Sequence, residues 1–131
     1  MKNSLYTTIF IIALGALCHF GLPWWVTAPI GCAAALLFPQ GVGRSFGVAF
    51  AAGFLLWYLS ALLPDVANGG ILSGKIGQLF MGLKGWQLLT LAGVLGGLLA
   101  GMGALTGALL RDLFNTGKPK RYRGKRTVFI K

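Results

Sequence analysis

The chain reads as an all-α integral membrane protein, a four-transmembrane-helix bundle with both termini on one side, and three features predict it. No Lys, Arg, Asp or Glu lies from Asn3 to Gln40, and none from Trp86 to Leu110. The charge is gathered at one end instead, with eight of the twelve Lys and Arg between Arg111 and Lys131. Apolar residues make up 56% of the chain, above the roughly 45–50% of soluble domains. Placing Lys, Arg or Asp at a bilayer centre costs about 2.5–3.5 kcal/mol on insertion scales, so the uncharged runs suit hydrocarbon.

The first run, about residues 4–20, falls within the roughly 17–25 residues that cross a bilayer. Lys2 followed by Leu5 to Phe20 has the outline of a secretion signal, with Ala16-Leu17-Cys18 in the place of a cleavage site. Leu17 is too large for the residue before a lipoprotein cysteine, and no polar segment follows. An uncleaved first span is expected.

Gly21-Leu22-Pro23 breaks that helix, and a second apolar run covers about residues 24–38. Pro29 lies inside it, where it is expected to remove one backbone hydrogen bond and bend the helix. Neighbouring helices can shelter such a bend. The other reading is a hairpin that re-enters the side it came from.

Pro39 to Arg44 forms the next turn. The third span, about residues 45–63, is uncharged throughout and is expected to end at Pro64-Asp65. The fourth, about residues 86–110, exceeds the hydrocarbon thickness and should tilt or project beyond it. Between these two, Asn68-Gly69-Gly70 signals a turn. Leu72, Ile76, Leu79, Phe80 and Leu83 then recur at helical spacing, which predicts a short helix lying in the headgroup region.

Four spans place Lys2, Arg44 and the basic tail on one side, ten cations against Lys75 and Lys84 on the other. The positive-inside rule makes that side the cytoplasm, and a bacterial inner membrane is the expected location. Two units follow: a membrane domain over residues 1–113 and a basic cytoplasmic tail over residues 114–131. A net charge of +10 would suggest nucleic acid in a soluble protein. Here its polarisation is that of membrane topology, so anionic lipid is the expected partner of Lys118, Lys120, Arg121, Arg123, Lys125 and Arg126.

The fourth span is built of small residues. Gly93, Gly97 and Gly101 recur every four positions, as do Gly96, Ala100 and Ala104, and Gly103 and Gly107. Small residues at this spacing let helix backbones approach closely in lipid, where no hydrophobic drive pulls them together. Either both ridges pack within the chain, or one packs within it and the other against a second copy or another protein.

His19, Trp24, Trp25, Trp57 and Trp86 all fall toward the outer side under this topology. They form either an interfacial belt or an outward-facing aromatic cluster. His19 is a lone histidine with no convergent ligands, so neither a metal nor another cofactor is expected. Cys18 and Cys32 read as small apolar residues rather than a disulfide pair.

No Asp or Glu falls within any expected span, which argues against a proton-coupled antiporter. No nucleophile–base pattern, zinc motif or phosphate-binding loop is present, so no enzymatic activity is expected. The expected role is that of a non-enzymatic subunit, accessory or scaffold factor of a larger membrane assembly. The alternative is a small homo-oligomeric channel or a holin-like permeabiliser.

Overall fold

The computed structural model describes residues 2–19 and 21–115, His19 in its backbone only. Among these residues the structure is helix and turn, without a strand. Helix α1 covers Lys2–His19, α2 Thr27–Leu37, α3 Val42–Ala67, α4 Ile71–Leu79 and α5 Gly85–Asn115, with a 3-10 turn at Trp24–Val26 before α2. Both α3 and α5 are long and apolar enough to cross a membrane.

The α1–α2 corner is closed by Cys18, whose carbonyl oxygen accepts the amides of Gly21 at 3.3 Å and Leu22 at 2.9 Å. Pro23, extended at φ −61° and ψ 150°, leads into the 3-10 turn. The expected bend at Pro29 does not occur. Because the 3-10 turn takes up Trp24–Val26, α2 starts at Thr27 and Pro29 falls in its first turn. An amide there has no helical acceptor in any case, so proline costs nothing. Proline also ends α2: Pro39 bars Phe38 from helical angles, and Phe38 sits at φ −112°, ψ 89°.

Pro64 does not stop α3. The helix runs one further turn to Ala67, so Asp65 lies inside its last turn rather than beyond it. The end is set by Gly69 and Gly70, both at positive φ, 64° and 72°. The Gly69 amide bonds to Val66 O at 3.1 Å and the Gly70 amide to Asp65 O at 2.9 Å, a Schellman closure that needs a left-handed residue after the cap. α4 closes similarly, with the Gly82 amide on Gly77 O at 3.0 Å. Its left-handed residue is Met81, at φ 59°, rather than glycine. α5 begins where Gln87 reaches back to accept the Lys84 amide at 2.8 Å, half of a capping box.

Packing follows a ring. α5 lies against α2 and α3, α1 closes the other side against the same two, and α2 and α3 scarcely meet. The core is built from alanine: Ala34, Ala49, Ala52, Ala100, Ala104 and Ala108 are wholly buried, with Ile11 the largest apolar side chain among them. Large apolar residues point outward instead, including Leu63, Leu95, Met102 and Leu113. This inversion is what a lipid solvent permits, since the outer surface has no water to avoid.

Candidate functional site

The small residues of α5 from Gly93 onward face inward. Gly93, Gly96, Gly97, Ala100, Gly101, Gly103, Ala104 and Gly107 are buried. On the α3 side, Phe46, Phe50, Phe54 and Tyr58 stack at successive helical turns, with ring centroids 6.0, 6.5 and 5.8 Å apart. The first three rings lie over Gly101, Gly97 and Gly93 in turn. A methyl built on Gly97 would stand 2.9 Å from the Phe50 carbonyl oxygen and 3.0 Å from its ring. Farther round, Gly96 sits under Trp57, and a methyl built on Gly53 of α3 would stand 2.6 Å from both Gly96 O and the Ala100 methyl.

On the α2 side the approach is backbone to backbone. Gly103 lies against Ala28, Gly107 against Cys32, and Gly31 of α2 against Ala100. Both small-residue faces of α5 are therefore occupied within the chain. Of the two arrangements open to these ridges, this is the geometry of packing within the chain. The outward face of α5 carries Leu91, Leu95, Leu98, Met102, Leu105 and Leu109, all exposed. The cysteines are free and half-buried.

The tryptophans do not form one group. Trp57 donates its indole N–H to Thr27 Oγ1 at 3.2 Å, and Thr27 donates to Trp24 O at 3.2 Å. Trp24 and Trp57 line one apolar hollow of about 460 Å³ with Leu95, Leu98, Leu99 and Met102. Trp25 and Trp86 are exposed and take no part in it. Leu95 is nine residues beyond Trp86 in α5, so this hollow is roughly 13 Å or more from Trp86 along the axis. The side chain of His19 lies outside the described residues, as do Lys118, Lys120, Arg121, Arg123, Lys125 and Arg126. Among the described residues no three His, Cys, Asp or Glu side chains come together as a metal would require.

A polar cluster that sequence reasoning missed ties the opposite end together. Gln40 is its centre: its amide nitrogen donates to Thr7 Oγ1 at 2.6 Å and Asn3 O at 3.3 Å, and its oxygen accepts from Ser4 Oγ at 3.0 Å. Asn3 donates in return to Pro39 O at 2.9 Å. Arg111, at the end of α5, donates to Ala35 O at 3.0 Å and Gln40 O at 2.5 Å and lies 3.7 Å from Asp112. Arg44 donates from Nε to Ser4 Oγ at 3.0 Å. The signal was the spacing of Asn3 and Thr7 on one helical face, together with the only uncharged amide between two helices ending at one level. No catalytic pairing results: the cluster holds four helices in place and leaves no nucleophile beside a base.

At the far end, Asp65 lines an apolar cavity of about 290 Å³ bounded by Ala61, Pro64, Leu72, Ser73, Ile76, Leu88 and Leu89. Its Oδ1 is buried without a hydrogen bond. Comparison with protein-family models, with curated proteins and with solved structures finds no match to this chain.

Proposed function

We propose that this chain is a small non-enzymatic protein of the bacterial inner membrane, with both termini cytoplasmic, that serves as a subunit or accessory factor of a larger membrane assembly. In this reading α3 and α5 are the full crossings. Their helical rises, about 39 and 46 Å over 26 and 31 residues, exceed the roughly 30 Å of hydrocarbon. α1 and α2 enter as a hairpin from the cytoplasmic side. The eleven residues of α2 rise only about 16 Å, and Trp24 at its head meets the middle of α5. Lys2, Arg44 and Arg111 share one end, and α4 shares the other with Asp65.

The observation that carries the reading is the contrast between inside and outside. The interior of the described residues is closed by Ala and Gly contacts, with the hydroxyls of Thr7, Thr27 and Ser45 buried among them. The exterior offers a long leucine face on α5 and the Trp24–Trp57 hollow, surfaces suited to lipid or to another membrane helix. A transport role would then need a pore formed between copies.

Purification in a mild detergent, followed by mass spectrometry and reconstitution, separates the two. A stable complex with other membrane proteins is expected. A closed homo-oligomer that leaks ions from liposomes would replace the subunit reading with a channel. For topology, a reporter active only in the cytoplasm should work after Lys131 and fail at Asn68.

A further inference from the structure

Arg111 and Arg44 sit at the same end of the bundle but are used differently. The Arg111 guanidinium is engaged by two carbonyl oxygens and Asp112. Arg44 spends one donor on Ser4 Oγ, and its remaining N–H groups meet no acceptor among the described residues. Among the described residues no carboxylate pairs with Arg44 or with Lys2. Two hollows meet at this arginine. One, about 330 Å³ and largely polar, lies toward Lys2, Gln40 and the start of α3. The other, about 450 Å³ and largely apolar, runs down the seam between α1 and α3. Ser4 and Arg44 line both, so the two hollows adjoin on either side of that hydrogen-bonded pair.

The apolar arm is open because α3 presents Gly47 and Ala51 one turn apart, between Leu5 and Val48. A methyl on Gly47 would touch nothing within 4 Å. A cationic mouth above an apolar channel, entered from the side of a helical bundle, has the polarity of one kind of molecule. We propose that the Lys2–Arg44 seam binds an anionic phospholipid, its phosphate at Arg44 and Lys2 and an acyl chain along Gly47 and Ala51. A two-fold contact with a second copy does not suit the seam, because it would set Lys2 and Arg44 of each copy against a surface of the same sign.

The proposal rests on the membrane reading above, and the experiment keeps the two apart. Full-length protein is purified from vesicles of phosphatidylglycerol and phosphatidylcholine, and retained lipid is counted by native mass spectrometry after detergent exchange. One retained phosphatidylglycerol per chain, with phosphatidylcholine lost, is expected. Lys2→Gln with Arg44→Gln should weaken retention roughly 30-fold, about fivefold for each cation near the headgroups. Lys75→Gln with Lys84→Gln removes equal charge from the opposite end of the bundle and should leave that lipid in place. Gly47→Leu fills the channel without altering charge and should also expel it. Equal losses from both charge pairs, or full retention in Gly47→Leu, would overturn the site. Flotation with pure phosphatidylcholine vesicles tests embedding separately: a chain that does not float loses the membrane reading and the seam with it. A chain that floats but retains no phosphatidylglycerol overturns the seam alone.

Discussion

Arg111 reaches the Ala35 carbonyl oxygen at 3.0 Å across 76 residues of sequence, so α5, one turn before its end, caps the end of α2. A cation suits that position, where the final carbonyls of a helix concentrate negative charge. The same guanidinium holds Gln40 O, and so binds the α2–α3 turn as well.

Arg111→Gln should therefore lower stability by about 2 kcal/mol, within the 1.5–3 typical of hydrogen bonds to charged groups. Arg111→Lys should recover only part of it, because one ammonium cannot match a planar fork directed at two carbonyls. Thermal unfolding in detergent, followed by tryptophan fluorescence, reads both. Full recovery by lysine would reduce the role of Arg111 to its charge.

Glycines of different surroundings should respond to alanine with opposite signs. At Gly103 the new methyl meets the backbone of Ala28, which cannot step aside. Gly103→Ala should cost about 1–3 kcal/mol, the usual range for overpacking. At Gly74 it meets nothing within 4 Å. Gly74→Ala should instead stabilise α4 by up to about 1 kcal/mol through helix propensity. Shifts of equal sign in the melting temperature would show that α2 and α5 are less close than Gly103 implies.

Thr27→Val keeps the shape of the side chain and removes its hydroxyl. The Trp57 indole N–H then loses its acceptor, and an unfolding cost of about 1–3 kcal/mol follows if no other group replaces it. Red-edge excitation and emission of Trp57, in a background with the other three tryptophans changed to Phe, should register the loss. Thr27→Ser should leave the spectrum unchanged.

Met81 is the one non-glycine residue at positive φ among those described, and its side chain is fully exposed. Left-handed backbone costs an ordinary residue roughly 1–2 kcal/mol. Met81→Gly should raise the melting temperature for that reason. A fall would mean that the methionine side chain itself anchors the α4–α5 corner in lipid.

The helical class and the positions of α1, α3 and α5 were legible because uncharged runs and their breaks are properties of single segments. Gly69 and Gly70 announced the end of α3, although Pro64 drew attention to the wrong residue. Proline stops a helix only when its missing amide and its ring conflict with the preceding turn, and one more turn after Pro64 is accommodated here. Partnerships were not legible. Phe46, Phe50 and Phe54 carry a clear four-residue period, but nothing local states that they meet Gly101, Gly97 and Gly93 in antiparallel register. Gln40 looked like a turn residue, and its role exists only once four helix ends converge. The start of α2 was missed because three residues of 3-10 helix and a first turn of α-helix share one hydrophobic pattern.

The ring order bears on how the chain is made. α5 is translated after the other described helices, yet it is the principal neighbour of both α2 and α3. From Leu37 to Asn115 there are 78 residues, about 4–16 s of synthesis at 5–20 residues per second. Throughout that interval the inner surface of α2, at Ala28, Gly31 and Cys32, stands without the helix it was shaped to receive. Half-made chains thus differ from finished ones by an open seam rather than by a missing appendage, and that seam is what an insertion chaperone or a membrane protease would encounter first.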